Sequence, residues 1–161
     1  MPPRSGRRTT ITEDKFYEAL SQTDPNLPGE LRSFMDQLDT LNVESDFGQS
    51  SLVLRWRAGG DAKWNFGTVH TWGKVWTDMI DYQAKQLGRP DLSQRYHERL
   101  CAIVPGATIK KYKTTQQVVK SNGSLLEVGD LLGDTGRRQA WFAAIEEFIN
   151  AVNETRTRAE S

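Results

Sequence analysis

The spacing of apolar residues changes near position 50, and this change constrains the fold more than any other feature of the sequence. Residues 52–57 alternate between two faces, with Leu52, Leu54 and Trp56 on one of them, which is the period of a half-buried β-strand. The segments before and after this region space their apolar residues three and four apart, as amphipathic helices do. A chain that switches period in this way is expected to be α+β.

We predict a three-stranded antiparallel meander at the centre of the chain. Its strands are expected near residues 52–57, 64–69 and 74–79, because turn signals at 58–61 and 71–73 separate them.

Two helices are predicted before the meander. The first follows Thr12, a favourable N-cap, and is broken by the segment Asp24-Pro25-Asn26. The second begins near Pro28 and continues to about Leu41.

A helix, a short hairpin and a closing helix are predicted after the meander. The third helix begins near Asp91 and is stopped by Pro105-Gly106. Asn122-Gly123, between two apolar pairs, is a strong signal for a two-residue hairpin. The last helix, from about Thr135 to Val152, carries an amphipathic stripe that should close the core.

The length of 161 residues favours one domain, expected over residues 11–152, with disordered tails at 1–10 and 153–161. The longest uninterrupted apolar run, Ala140 to Ile145, is far shorter than the roughly 20 residues that a membrane span needs. The single cysteine excludes a disulfide scaffold and is typical of a cytoplasmic protein. Because the longest apolar run is so short, we expect no contact with a membrane.

The formal net charge of zero hides an uneven distribution along the chain. Residues 51–113 hold 11 bases and 5 acids, whereas residues 1–50 and 114–161 are both net acidic. A basic middle segment can form a local positive surface, because fields are screened over about 10 Å. The alternative is that this segment neutralises the acidic flanks across the fold.

The sequence contains no constellation that predicts catalysis. His97 and Cys101 are four residues apart on a predicted helix, but a zinc-protease helix would have a second histidine in place of the cysteine. The other histidine, His70, lies in the meander, and no phosphate-binding loop or nucleophile elbow is present. We predict a protein that is not an enzyme and has neither a metal site nor a cofactor.

Four of the five tryptophans lie within the meander. Trp56 and Trp64 follow the apolar faces of their strands and are predicted to be core, whereas Trp72 or Trp76 is expected to be exposed. Exposed aromatic rings beside cations suit stacking on unpaired nucleic-acid bases. The candidate binding residues of this region are Arg55, Arg57, Lys63, Trp72, Lys74 and Trp76. The alternative is that arginine side chains only cover the edges of aromatic rings.

The densest basic run is Lys110-Lys111-Tyr112-Lys113. All four residues are candidates for contacting phosphates or a partner protein. Lysines on an edge strand also protect a sheet against aggregation, which is the alternative interpretation.

The order of these features resembles an accessory domain found on the C-terminal side of restriction-endonuclease-like (PD-(D/E)XK) nuclease domains. The matching residues are Phe16 to Leu20, Asp24-Pro25, Thr71 to Val75, Pro105-Gly106 and Leu131-Leu132, within a stretch of residues 12–150. The metal-binding acids of the nuclease domain itself are absent. The resemblance therefore implies an auxiliary module and no nuclease activity.

These observations together predict a non-catalytic binding or interaction module associated with a nuclease or another nucleic-acid-processing system. Its partner would be a nucleic acid or a nuclease-type protein. One alternative is a protein-interaction subunit with no nucleic-acid contact, which predicts an exposed apolar patch in place of a basic one. The other alternative, a small enzyme, has the least support.

Overall fold

The computed structural model describes residues 10–57 and 63–160 of the chain. Over these residues the secondary-structure elements follow one another in a mixed α/β order. They are α1 (Glu13–Thr23), α2 (Leu27–Leu38), a 3-10 turn (Asp39–Leu41), β1 (Val43–Phe47), β2 (Ser51–Trp56), β3 (Trp64–His70), β4 (Lys74–Trp76), α3 (Met79–Leu87), α4 (Pro90–Ile103), β5 (Thr108–Lys111), β6 (Gln116–Val119), β7 (Leu126–Glu127), α5 (Val128–Leu132) and α6 (Thr135–Glu160).

The main sheet contains five antiparallel strands in the order β1-β2-β3-β4-β7. The predicted meander is confirmed as its three central strands, β2, β3 and β4. The prediction of only three strands was wrong, because β1 and β7 extend the sheet on either side. The predicted third strand was also too long, since β4 ends at Trp76 and Met79 already begins α3.

Two predicted helix boundaries differ from the structure. The single helix expected after the meander is a pair, α3 and α4, joined through Gly88 in the left-handed conformation at the C-cap of α3. Helix α6 continues past the expected end at Val152 to Glu160, so residues 153–160, predicted as a tail, are helical. The tail predicted at 1–10 lies outside the described residues apart from Thr10.

The Asn122-Gly123 turn is present, but it does not join two strands of one hairpin. Gly123 has φ +87° and donates its N–H to the carbonyl of Lys120 at 2.8 Å, as a tight turn requires. Only a single antiparallel β-bridge, between Val119 and Leu125, pairs the segments on the two sides of the turn. The strands on either side then diverge, because β6 pairs with β5 in a separate two-stranded sheet and β7 pairs with β4.

The core lies between one face of the main sheet and helices α4 and α6. Phe66 of β3 packs against Tyr96 of α4 and Phe148 of α6, with ring centroids 5.5 and 5.3 Å apart. Trp56 and Trp64 are buried in this core, as predicted.

A hydrogen-bond chain crosses the core. The indole N–H of Trp141 donates to the Tyr96 hydroxyl at 2.9 Å, and that hydroxyl donates to the carbonyl of Phe66 at 2.7 Å. Each polar group of the chain therefore has a partner in an otherwise apolar layer.

A β-bulge shapes the first half of β3. The register with β2 shifts between Val53 and Arg55, where β3 carries one residue more than its neighbour. The side chain of Asn65 accepts from the N–H of Gly67 at 2.7 Å, and the N–H of Asn65 donates to Gln83 of α3 at 2.8 Å. Gly67 lies within the bulge, and the Asn65 side chain gives its backbone N–H an acceptor.

Within residues 10–57 and 63–160, no helix combines the length and the apolar composition needed to cross a membrane.

Candidate binding surface

The face of the main sheet that points away from α4 and α6 is the candidate site, and we call it the outer face. Strand register places these residues on it: Glu44, Asp46, Ser51, Val53, Arg55, Thr68, His70, Lys74, Trp76 and Glu127. None of them is buried, whereas Leu52, Leu54 and Val75 on the opposite face are completely buried. The outer face is therefore open to solvent, as one face of an antiparallel sheet often is.

Three aromatic rings meet at one end of the outer face, and we call His70, Trp72 and Trp76 the aromatic cluster. The imidazole of His70 is 5.4 Å from the Trp72 ring and 6.2 Å from the Trp76 ring, and both contacts are edge-to-face. Trp72 is 61% exposed and Trp76 is 38% exposed. Both tryptophans, and not only one of them, thus present a large apolar surface to solvent.

The turn between β3 and β4 holds Trp72 in its exposed position. The N–H of Gly73 donates to the carbonyl of His70 at 2.8 Å, and Gly73 has φ +90°. A side chain at position 73 would be strained by this φ, and its Cβ would lie 3.3 Å from the Thr23 methyl group. The Gly73 carbonyl also accepts from the N–H of Val128 at 2.7 Å, which ties the turn to α5.

The two arginines predicted as binding residues are both paired with acids of the neighbouring strand β1. Arg55 donates to Asp46 at 2.9 Å and to the carbonyl of Lys63 at 2.8 Å, and its side chain is only 16% exposed. Arg57 donates to Glu44, and this hydrogen bond raises the pKa of the guanidinium. Both guanidinium groups therefore already have an anionic partner.

The lysines at the other edge of the outer face are paired in the same way. Lys74 lies 4.0 Å from Glu127 on the adjacent strand β7. Lys120 approaches the same carboxylate at 3.1 Å and Asp130 at 3.4 Å. Strand pairing thus brings cations and anions of distant segments together on this face.

The run Lys110 to Lys113 belongs to the separate sheet of β5 and β6 and to the turn after β5. The ammonium group of Lys110 lies 5.4 Å from the centre of the Tyr112 ring, and the Tyr112 hydroxyl accepts from Gln117 at 2.6 Å. Within the described part of the chain, no acidic side chain forms an ion pair with Lys110, Lys111 or Lys113. These lysines are the clearest uncompensated cations among the predicted site residues.

Lys63 immediately precedes β3, and its exposed side chain borders a groove between α3 and the end of α6. It forms no ion pair with an acid among the residues that the structure describes. It lies apart from the aromatic cluster, since it is at the opposite end of β3 from His70.

The histidine and cysteine considered as metal ligands have other surroundings. His97 is completely buried, with Nε2 2.6 Å from the carbonyl of Thr77 and Nδ1 3.0 Å from the Gln116 amide nitrogen. Burial raises the pKa of the Cys101 thiol, which favours its unreactive form. In the described segments, no three His, Cys, Asp or Glu side chains are grouped so that they could hold a metal ion.

Sequence reasoning missed the acids of this surface and the third ring of the cluster. Glu44 and Asp46 alternate with Val43 and Phe47, which is a strand pattern that could have predicted β1 and its ion pairs. His70 was placed in the meander but was considered only as a possible metal ligand, because its contacts with Trp72 and Trp76 depend on the fold of the turn between β3 and β4.

Comparison with protein families, with characterised proteins and with solved structures gave no match to this chain. The resemblance to nuclease-associated accessory domains therefore stays a prediction.

Proposed function

We propose that this protein is a non-catalytic module that binds another protein through the aromatic cluster. The exposure of Trp72, at 61% of its surface, is the observation that carries the proposal. Tryptophan is enriched among the residues that dominate the free energy of protein association, because it buries a large apolar area with few rotatable bonds. The edge-to-face contacts with His70 orient the Trp72 ring before any partner arrives.

The distribution of exposed apolar residues supports a protein partner. Among the described residues, four of the five exposed large hydrophobic side chains lie within residues 72–82. Trp72 lies in the turn between β3 and β4, Trp76 is the last residue of β4, and Met79 and Tyr82 belong to helix α3, which follows directly. Concentrated exposed apolar area of this kind is typical of interaction sites.

The charge balance of the outer face supports a partner of low net charge. Arg55, Arg57 and Lys74 each face a carboxylate on an adjacent strand. Phosphate binding depends on cations that exchange small counterions for phosphates, and a cation already paired with a carboxylate gains less from this exchange. We therefore expect a protein surface with an apolar groove for Trp72 and Trp76 and few charges. The sequence resemblance suggests a nuclease-type protein as this partner.

A peptide-display experiment tests the proposal. Random peptides are selected on the full-length protein, and the dissociation constants of the enriched peptides are measured by fluorescence polarisation. We expect the selected peptides to be rich in apolar and aromatic residues. The Trp72→Ala, Trp76→Ala double variant should bind them with a dissociation constant about tenfold higher or more. Tyr112→Ala, which removes an exposed aromatic ring from the other sheet, is the matched control and should leave binding unchanged.

Two outcomes would refute a protein-binding role for the aromatic cluster. One is equal peptide binding by the wild type and by the double tryptophan variant, when circular dichroism shows that both proteins are folded. The other is tight, salt-sensitive binding of a labelled single-stranded oligonucleotide that the Trp72→Ala, Trp76→Ala double variant abolishes. That second result would identify the module as a nucleic-acid binder that uses the aromatic cluster.

A further inference from the structure

Strand β5 forms the outer edge of the two-stranded sheet. Among the described residues, it pairs only with β6. The far side of β6 is occupied, because the N–H of Val118 donates to the Thr77 hydroxyl at 2.9 Å. Three of the four residues of β5 are exposed, and the fourth, Ile109, is half-buried. An exposed edge of this kind can pair with a further strand.

Two residues of β5 direct their backbone groups toward this edge. At the end of the hairpin, the N–H of Tyr112 donates to the carbonyl of Thr115 at 2.7 Å, so these opposite residues form a hydrogen-bonded pair. Bonded and non-bonded pairs alternate along antiparallel strands, which places Ile109 and Lys111 in non-bonded pairs. Their N–H and C=O groups therefore point away from β6. In the part of the chain that the structure describes, no hydrogen bond outside the ladder involves either residue.

Lysines surround the same edge. Lys110 and Lys111 project to opposite faces of the sheet, as successive strand residues do, and Lys113 lies in the turn that follows. Lys110 lies over the ring of Tyr112. Lys111 and Lys113 have no such ring contact, and they form no ion pair with an acid of the described segments. The edge thus combines free backbone groups with positive charge.

This charge decides which strand the edge can accept. A second copy of β5 would place lysines opposite lysines, and like charges that face each other across a strand pair are destabilising. Edge lysines prevent aggregation between copies for this reason. An acidic strand meets the opposite condition, because its carboxylates would pair with Lys111 and Lys113 while its backbone bonds Ile109 and Lys111.

We propose that β5 binds an extended acidic segment of a partner protein as an additional strand. The bound segment extends the two-stranded sheet to three strands, with its backbone bonded to Ile109 and Lys111. Its acidic side chains face the lysines of β5 and of the following turn. The site is separate from the aromatic cluster, which lies on the main sheet, and the proposal does not depend on the function of that cluster.

Amide hydrogen exchange, measured by nuclear magnetic resonance, detects the added strand directly. The probe is an acetylated and amidated octapeptide in which glutamate alternates with valine, added at saturation to the ¹⁵N-labelled full-length protein. We expect the N–H groups of Ile109 and Lys111 to exchange about tenfold more slowly, or slower still, when they gain a partner. The N–H of Lys110, which belongs to a bonded pair of the ladder, is the internal control and should change little.

Two further peptides separate strand addition from charge alone. The same octapeptide with every backbone nitrogen methylated keeps its carboxylates but cannot pair as a strand. A peptide with lysine in place of glutamate keeps the backbone and reverses the charge. Both should bind with dissociation constants about tenfold higher or more than that of the acidic octapeptide.

Lysine variants provide the matched test on the protein. The Lys111→Glu, Lys113→Glu double variant should raise the dissociation constant of the acidic octapeptide about tenfold or more. The Lys15→Glu, Lys63→Glu variant makes the same change of charge away from β5 and should bind almost as the wild type does. The Trp72→Ala, Trp76→Ala variant should also bind normally, which separates this site from the aromatic cluster.

Four results would each overturn the proposal. They are unchanged exchange at Ile109 and Lys111, equal binding of the methylated and unmethylated acidic peptides, and equal losses of affinity in the two double lysine variants. The fourth is a single-stranded oligodeoxythymidylate that binds more tightly than the acidic octapeptide and that Lys111→Glu with Lys113→Glu no longer binds, since this would assign the lysines to nucleic acid.

Discussion

The Nε2 atom of His97 lies 2.6 Å from the carbonyl oxygen of Thr77, at the point where the chain leaves strand β4. A carbonyl oxygen can only accept, so Nε2 carries the proton. Nδ1 of the same ring then accepts from the Gln116 amide nitrogen, 3.0 Å away on β6. The neutral imidazole thus links α4, the end of β4 and the second sheet.

We expect the stability of the protein to fall below about pH 6.5 because of His97. Burial lowers the pKa of His97 below its ordinary value of 6.5, although the Thr77 carbonyl and the charges of Asp78 and Asp81 oppose this effect. A lowered folded-state pKa stabilises the protein fully above the unfolded-state pKa, and this contribution is lost as the pH falls from 6.5 toward the folded-state value. Urea unfolding at pH 7.5, 6.5 and 5.5 measures the loss.

His97→Gln should flatten this dependence on pH. His70→Gln is the control. Burial lowers the pKa of His70 as well, but His70 is only partly buried, so we expect it to contribute less to the dependence of stability on pH. The His70 variant should retain most of the slope of the wild type. An unchanged slope in His97→Gln would contradict the assignment.

Much of the fold followed from local sequence patterns. The N-cap Thr12 accepts from the N–H of Lys15 at 3.2 Å, as its position before two acids predicts. The alternation through Trp56 and Trp64 predicted both the central strands and their buried rings. These features depend on residues close together in sequence, which is why the sequence shows them.

The rest depends on contacts between distant segments. Asp81 and Gln83 of helix α3 are polar residues that the sequence predicts to face solvent, but both are buried. They accept hydrogen bonds from the Ser93 hydroxyl and the Asn65 N–H, which belong to other elements. Strand β7 has two residues and exists only because β4 pairs with it. The predicted binding surface lacked its acids for the same reason. The acids that neutralise the arginines of the outer face come from β1, a strand that was not predicted.

Tyr96→Phe should destabilise the protein by about 1–3 kcal/mol. The Tyr96 hydroxyl bridges the Trp141 indole and the Phe66 carbonyl in the core, and its removal leaves both groups without a partner. Urea denaturation monitored by tryptophan fluorescence measures the change. Tyr112→Phe, which removes a hydroxyl from an exposed ring, should cost less. A Tyr96 variant as stable as the wild type would show that water replaces the hydroxyl.

Two glycine substitutions should change stability in opposite directions. Gly73→Ala should cost about 1 kcal/mol or more, because φ +90° strains any side chain and the new Cβ approaches Thr23 at 3.3 Å. Gly29→Ala lies within α2 with no atom inside 4 Å of the new Cβ, and alanine should stabilise this helix by up to about 1 kcal/mol. Differential scanning calorimetry of both variants gives the signs, and a stabilised Gly73 variant would contradict the role of the turn that holds Trp72.

The two arginines of β2 and of the segment after it should differ in their effect on stability although both are paired. Arg55 is mostly buried and bonds both Asp46 and the carbonyl of Lys63, so Arg55→Gln should cost about 1 kcal/mol or more. Arg57 and its partner Glu44 are both more than half exposed, and exposed pairs contribute about 0–1 kcal/mol. Arg57→Gln should therefore be close to neutral in urea unfolding, and added salt should reduce its effect further. An equal loss of stability in the two variants would contradict a structural role for Arg55. The Arg55 guanidinium would then again be a candidate for contacting an anionic ligand.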